Sequence, residues 1–139
     1  MSFKQTTNIQ RYAKGDVIVS EGIVSNNAYI IMEGKVNVTK KVDRKSILIN
    51  TLGKGDVFGE MGLISQTTRS ASVVAASDVT IGVIEREQFE AIVSKLPDDV
   101  GAIVGALVSR LRYTSDQLSK IGLELEKTRS IISSFSSQH

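Results

Sequence analysis

The chain contains no cysteine, no tryptophan and one proline, and its single histidine is the last residue, His139. The missing cysteines remove disulfides, thiolate metal sites and cysteine nucleophiles together. With one terminal histidine, zinc coordination and Ser-His-Asp catalysis are not expected either, and no metal is expected. Neither sign of charge dominates: 17 Lys and Arg stand against 15 Asp and Glu, and the resulting +2 is too small to imply a nucleic acid or an anionic membrane as partner. No stretch approaches the roughly 18 uninterrupted apolar residues of a membrane span. Met1 to Thr7 has no apolar segment of the kind a signal peptide needs. A cytoplasmic protein is therefore expected, and the lack of cysteine agrees with a reducing compartment. What is present is ordinary for a globular domain: 139 residues, 41% hydrophobic and 23% charged. That length suffices for one domain with a real core, not for two of full size.

Two halves with different periodicity meet near residue 86. Before it the chain reads as strands and turns. Lys35 to Val42 alternates, with Val36, Val38 and Val42 on one face and Lys35, Asn37, Thr39 and Lys41 on the other. Ala28 to Met32, Ile47 to Leu52, Ser70 to Ala75 and Val79 to Ile84 are further short runs rich in β-branched residues. Turn signals separate them, among them Glu21-Gly22, Asn26-Asn27, Glu33-Gly34 and Ser77-Asp78. The tetrapeptide Lys-Gly-Asp-Val occurs at Lys14 to Val17 and again at Lys54 to Val57, each time leading into an apolar pair. It hints at two related halves of one antiparallel barrel or roll, although four residues also recur by chance.

Past Glu85 the strand pattern stops. Arg86 to Lys95 fits a short helix with Phe89, Ile92 and Val93 on one side, ended before Leu96-Pro97. Pro97 suits the first turn of a second helix, with Asp98 and Asp99 near its positive end. Along that helix Val100, Val104, Leu107, Leu111, Thr114, Leu118, Ile121, Leu125, Thr128, Ile132 and Phe135 recur in alternating steps of four and three, which is a heptad seam. Such a helix spans on the order of 50 Å, more than one small roll covers. The simplest partner for the remainder is the same helix of a second copy, giving a homodimer through a parallel coiled coil. Gly101 and Gly105 would let the first turns pack on the chain's own roll instead.

The segment that carries chemistry runs from Gly55 to Val73. A Gly-Glu pair opening a short helical turn exposes backbone N–H groups beside a fixed carboxylate, and an Arg leading into the next strand can point back over that turn. The N–H groups favour a phosphate, and the guanidinium adds charge-assisted hydrogen bonds. Glu60 beside a phosphate makes sense only if it accepts hydrogen bonds from hydroxyls. The implied ligand is a phosphate bonded to a sugar. Taken singly, Arg69 reads as a surface or salt-bridge arginine, Glu60 as a solvated carboxylate, and Thr114 as a polar seam residue that fixes register.

Phe58-Gly59-Glu60-Met61-Gly62-Leu63-Ile64, with Arg69-Ser70-Ala71-Ser72-Val73, resembles the phosphate-binding cassette of the cyclic nucleotide-binding domains. Gly15-Asp16, Gly22, Tyr29-Ile30-Ile31, Gly34-Lys35-Val36 and Gly55-Asp56 are similar to that family's spaced glycines and roll strands, so the resemblance covers roughly residues 9 to 118. It implies a mainly β fold with C-terminal α: an antiparallel double-stranded β-roll, jelly-roll-like, followed by a short helix and a long dimerising C-terminal helix. The expected division is a nucleotide-binding roll with its short helix over 1–96 and a coiled-coil helix over 97–139. It further implies Arg69 and Ser70 on the cyclic phosphate, Glu60 on the ribose 2'-hydroxyl, and backbone groups around Phe58, Gly59, Met61 and Ala71 assisting.

Within the family the chain looks most like the bacterial catabolite activator, or cAMP receptor, type. There a Thr-Ser pair on the long helix meets the adenine, one residue from each subunit, and Thr114-Ser115 stands at the matching separation from Arg69. The pair favours cAMP over cGMP, whereas Ser70, just after the phosphate arginine, is a residue type that can favour guanine. The activator type continues into a helix-turn-helix, and Gly122 to His139 does not; with five acidic and five basic residues after Pro97, nucleic-acid binding is not expected. The expected function is a regulatory sensor for a cyclic nucleotide, not an enzyme, with its effector or output domain unknown. The alternative is a dimerising scaffold whose roll has lost its ligand.

Overall fold

A computed structural model describes residues 8–66 and 68–137, apart from the side chains of residues 119 and 135–137. The chain divides into two compact units, Met1–Lys95 and Leu96–His139.

Among the described residues of the first unit, eight strands form two four-stranded antiparallel sheets. They are β1 (Asn8–Tyr12), β2 (Val17–Val19), β3 (Asn27–Glu33), β4 (Val36–Val42), β5 (Lys45–Leu52), β6 (Val57–Phe58), β7 (Ser72–Ala75) and β8 (Val79–Glu85). One sheet has the order β1-β8-β3-β6 and the other β2-β7-β4-β5. Their inner faces enclose a core centred on Ile31, Val36, Ile81 and Val83, each essentially fully buried. Helix α1 (Arg86–Ser94) follows directly on β8, so the expected change of period falls between Glu85 and Arg86. A capping box between Glu85 and Gln88 starts α1, satisfying N–H groups that a helix start leaves without partners.

The repeated tetrapeptide is one turn built twice. In the first copy Ala13 N–H donates to Asp16 Oδ2 at 2.8 Å and Asp16 N–H returns to the Ala13 carbonyl at 3.0 Å. In the second, Gly53 N–H donates to Asp56 Oδ2 at 2.9 Å and Asp56 N–H to the Gly53 carbonyl at 3.0 Å. Gly15 and Gly55 take φ of 94° and 88°, a left-handed conformation that glycine adopts without strain. Each turn also hooks one residue of the facing strand. Gly15 donates to Ala75 while Ala75 donates to Asp16, and Gly55 donates to Ile31 while Ile31 donates to Asp56.

Two strand readings differ from the structure, and β5 carries a bulge. Val42 was expected on the buried face with Val36 and Val38, yet it is 46% exposed. The reason is that β7 pairs β4 only from Val36 to Thr39, so the β4–β5 hairpin runs on beyond its cover. In the β4–β5 pairing the register slips between Val38 and Thr39 of β4, leaving Ile49 of β5 unpaired in a bulge, and Ile47, Leu48 and Ile49 are all exposed on this edge strand. The strand expected from Ser70 begins at Ser72, because Arg69 is pinned on both sides: its N–H donates to Ile23 at 2.9 Å and its carbonyl accepts from Gly22 at 2.8 Å.

The second unit is helix α2 (Asp98–Ser137), with Asp98 and Asp99 in its first turn. Pro97 immediately precedes it, and its carbonyl accepts from Gly101 N–H at 2.7 Å. At 40 residues the helix is about 60 Å long. Its seam residues Leu107, Leu111, Leu118, Ile121, Leu125 and Ile132 are each more than half exposed in the single chain. No helix among the described residues is long and apolar enough to cross a membrane.

Candidate functional site

The Phe58 to Ile64 segment folds as expected: β6 ends at Phe58, Gly59 turns the chain, and Glu60–Leu63 forms a single 3-10 turn. Gly59 makes the turn possible with φ of 72°. Gly62 N–H donates to the Gly59 carbonyl at 3.0 Å, closing the turn. The N–H groups of Glu60 and Met61 precede that first bond, so the geometry of the turn gives them no partner within it.

Arg69 comes back over this turn. Arg69 is only 9% exposed, with Nη1 donating to the Gly59 carbonyl at 2.8 Å and Nη2 donating to the Asn27 carbonyl. Its Nε is buried and has no hydrogen-bond partner. The two glycines of the turn exist to admit this guanidinium. A Cβ on Gly59 would stand 3.0 Å from Arg69 Nη1 and 3.2 Å from the Tyr29 ring, and one on Gly62 would stand 2.9 Å from Nη2 and 2.6 Å from the Ser25 carbonyl.

Burial pushes the Arg69 pKa down from its ordinary value, while Tyr29 and the Glu60 carboxylate pull it back up. Arg69 and Glu60 therefore share one electrostatic neighbourhood. A desolvated cation with an idle N–H is the environment in which an anion gains most, since a charge-assisted bond there replaces no water.

The remaining cassette residues distribute as follows. The Phe58 ring is buried and stacks on Tyr29, centroids 4.9 Å apart, so it braces the turn from the core side. Glu60 and Ser70 are exposed, and Met61 and Ala71 are half-buried. Ser72, the second small residue after the arginine, accepts from Glu21 N–H at 2.9 Å, and Glu21 Oε1 in turn accepts from Lys41 N–H at 3.0 Å. The cassette strand is thus tied to the β4–β5 hairpin. Thr114 and Ser115 lie in the second unit, on α2. The Thr114 hydroxyl donates to the Arg110 carbonyl at 2.8 Å, and Thr128, the other seam threonine, does the same to Glu124 at 3.0 Å. A hydroxyl satisfied by its own helix removes much of the cost of a polar seam residue.

Three residues that sequence reasoning did not select contribute to the site: Asn27 through its carbonyl, Tyr29 through its ring, and Arg86 through its side chain. A cavity of about 360 Å³ opens at the far end of β3, lined by Arg11, Tyr12, Glu33, Asp78 and neighbours, and holds none of the expected site residues. Among the described residues no group of His, Cys, Asp or Glu could hold a metal ion.

The family model described as cyclic nucleotide-binding domain matches residues 9–95. Human cGMP-dependent protein kinase 2 is 43% identical over 84 residues, covering 58% of this chain and 11% of the kinase. The cyclic AMP receptor protein of Thermus thermophilus is 29% identical over 119 residues, covering 85% of this chain and 55% of the receptor. The chain thus spans about a tenth of the kinase and about half of the receptor. Among solved structures, the EAL enzyme Bd1971 in its half-site-occupied form superposes with a TM-score of 0.74 at 35% identity, over 78% of this chain and 97% of that chain. The same enzyme in cAMP-bound and cGMP-bound forms superposes with a TM-score of 0.61 each, at 36% and 35% identity. Those two matches cover 81% and 88% of this chain, and 30% and 33% of those chains.

Proposed function

The chain belongs to the cyclic nucleotide-binding domain family, and on that premise we propose that it is a sensor module that captures a cyclic nucleotide, cAMP in preference to cGMP, and reports occupancy through a dimeric C-terminal helix. One observation carries the reading: the buried Arg69 guanidinium, with an idle Nε, lies over a glycine-opened turn that begins at Glu60. In this reading Arg69 and the N–H groups of the turn take the cyclic phosphate, assisted by Ser70 and the backbone at Ala71. Glu60 accepts from the ribose hydroxyl, and Thr114 with Ser115 of α2 meet the base. The exposed seam of α2 supports a second copy as partner. A ligand touching both roll and helix favours the arrangement that holds them together, so occupancy shifts that population.

Preference for cAMP rests on the Thr-Ser pair. The relatives span both nucleotides by name, a cGMP-dependent kinase and a cyclic AMP receptor. No catalytic activity is proposed, and the effector is a partner protein or an output domain.

A second reading, a dimerising scaffold with an idle roll, draws on the fact that both terminal nitrogens of Arg69 already donate to protein carbonyls. Thermal unfolding separates the two readings. The sensor predicts that cAMP at a hundred times its Kd raises stability by about 2.7 kcal/mol, whereas the scaffold predicts an unchanged melting temperature with cAMP and with cGMP. Incubation with cAMP and a search for AMP checks that no hydrolysis occurs.

A further inference from the structure

Strand β7 begins only at Ser72, and one glutamate stands where the chain before it leaves the sheet. The outermost pair between β4 and β7 is Thr39 with Ser72. The same register carried further would set Lys41 opposite Ser70. The turn at Asp43 and Arg44 pairs Val42 with Lys45, and backbone groups alternate sides along a strand, so the Lys41 N–H faces away from β5, toward the line that β7 leaves open. It donates to Glu21 Oε1 at 3.0 Å, in the place that a Ser70 carbonyl would take in a longer β7.

Glu21 is itself held by the cassette, since its N–H donates to Ser72 Oγ at 2.9 Å. The next two residues clamp Arg69. Gly22 N–H donates to the Arg69 carbonyl at 2.8 Å, and Arg69 N–H donates to the Ile23 carbonyl at 2.9 Å. The Arg69 backbone is thus paired with the loop over 21–23 and not with β4. The two pairings compete: drawing Ser70 into register with Lys41 pulls its neighbour Arg69 away from Gly22 and Ile23, and with it the guanidinium that donates to the Gly59 carbonyl. An open ladder edge templates further pairing. The Glu21 carboxylate caps that edge at the one amide from which β7 would lengthen into the site.

We propose that Glu21 is a positioning residue for the nucleotide site: by occupying the Lys41 N–H it stops β7 from extending through Ser70, and so keeps Arg69 clamped over the turn that starts at Glu60. The proposal rests on the reading that the Arg69 site binds a cyclic nucleotide. Glu21 itself does not meet the ligand.

Three proteins test it: the parent, Glu21→Ala, which removes the acceptor, and Glu21→Gln, which keeps an acceptor oxygen at the same reach without the charge. Titration with cAMP is expected to show roughly threefold to tenfold weaker binding for Glu21→Ala. Recovery to within roughly twofold of the parent is expected for Glu21→Gln. Amide exchange followed by NMR without nucleotide supplies a readout that lost stability moves the other way. In Glu21→Ala the Ser70 amide is expected to exchange at least tenfold more slowly than in the parent, because a lengthened β7 gives it the Lys41 carbonyl. Simple destabilisation speeds exchange instead.

Parental affinity in Glu21→Ala overturns the proposal, and so does weaker binding without slower exchange at Ser70. A Gln variant as weak as the Ala variant overturns it as well, because the acceptor would then not be what matters. If Glu21→Ala does not melt cooperatively, Glu21→Asp, whose carboxylate is one methylene shorter, takes its place under the same criteria. A parent that binds neither cAMP nor cGMP overturns the reading of the site itself, whereas exchange at Ser70 is measured without nucleotide and decides the role of the Glu21 carboxylate separately.

Discussion

The carbonyl oxygen of Gly59 accepts a hydrogen bond from Arg69 Nη1 at 2.8 Å, and a Cβ on Gly59 would stand 3.0 Å from that same nitrogen. The turn and the guanidinium are therefore fitted to each other, and neither is placed without the other. Gly59→Ala puts a side chain at φ of 72° and against both Arg69 and Tyr29. A loss of about 1–3 kcal/mol in urea unfolding is expected, accompanied by weaker nucleotide binding. Parental stability in this variant would mean that the close approach is not maintained in solution.

Leu118 sits in the exposed α2 seam at 63% exposure. In a coiled-coil dimer, Leu118→Asp buries an unpaired charge at a cost of about 3 kcal/mol or more, which is over a hundredfold in dimer dissociation. Sedimentation velocity at micromolar concentration is expected to show the parent as a dimer and the variant as a monomer. A variant that sediments with the parent argues against the seam.

Thr114→Val keeps the shape of the side chain and removes the hydroxyl that donates to Arg110. The helix loses little, because that carbonyl retains its ordinary backbone bond. If the hydroxyl also serves the base, cAMP affinity falls about threefold to tenfold with cGMP affinity affected less. Equal changes for the two nucleotides would remove Thr114 from base selection.

The strand β4, the two Lys-Gly-Asp-Val turns and the long helix α2 could be read from residues alone, because each expresses a local rule: pleat, turn chemistry or helical period. The fold class follows from those rules, and the family from the resemblance of the cassette segment. What could not be read was set by distant partners. Val42 loses its cover because β7 is short, a fact no residue near Val42 encodes. Ile49 is displaced by a slip in pairing with β4. Arg86 looks like any basic residue at a helix start, and its hydrogen bonds to the Gly62 and Ser65 carbonyls appear only when these come within reach of α1. Asn27 contributes a carbonyl, a group every residue carries, so its identity gives no signal.

Tyr12 offers a test by pH. Burial pushes its pKa above the ordinary value of 10.0, with Tyr29 and Asp16 adding to the shift, and its hydroxyl donates to Gln10. The protonated form is favoured in the folded state. This contribution is therefore complete below the unfolded pKa and is lost as pH rises through the folded one. Urea midpoints are expected to fall as the pH rises above about 10, and Tyr12→Phe is expected to flatten that fall. Arg69, whose pKa is lowered, acts in the opposite sense, so the comparison with Tyr12→Phe isolates the phenol. An identical decline in both proteins would exclude Tyr12 as its source.

Calorimetric titration of cAMP into the parent and into Arg69→Ala tests the central claim most directly. A charge-assisted pair on the phosphate contributes about 1.5–3 kcal/mol, so binding by the parent and a loss of at least tenfold to a hundredfold in Arg69→Ala are predicted. Equal affinity in the two proteins would contradict the account, because the phosphate would then be held elsewhere.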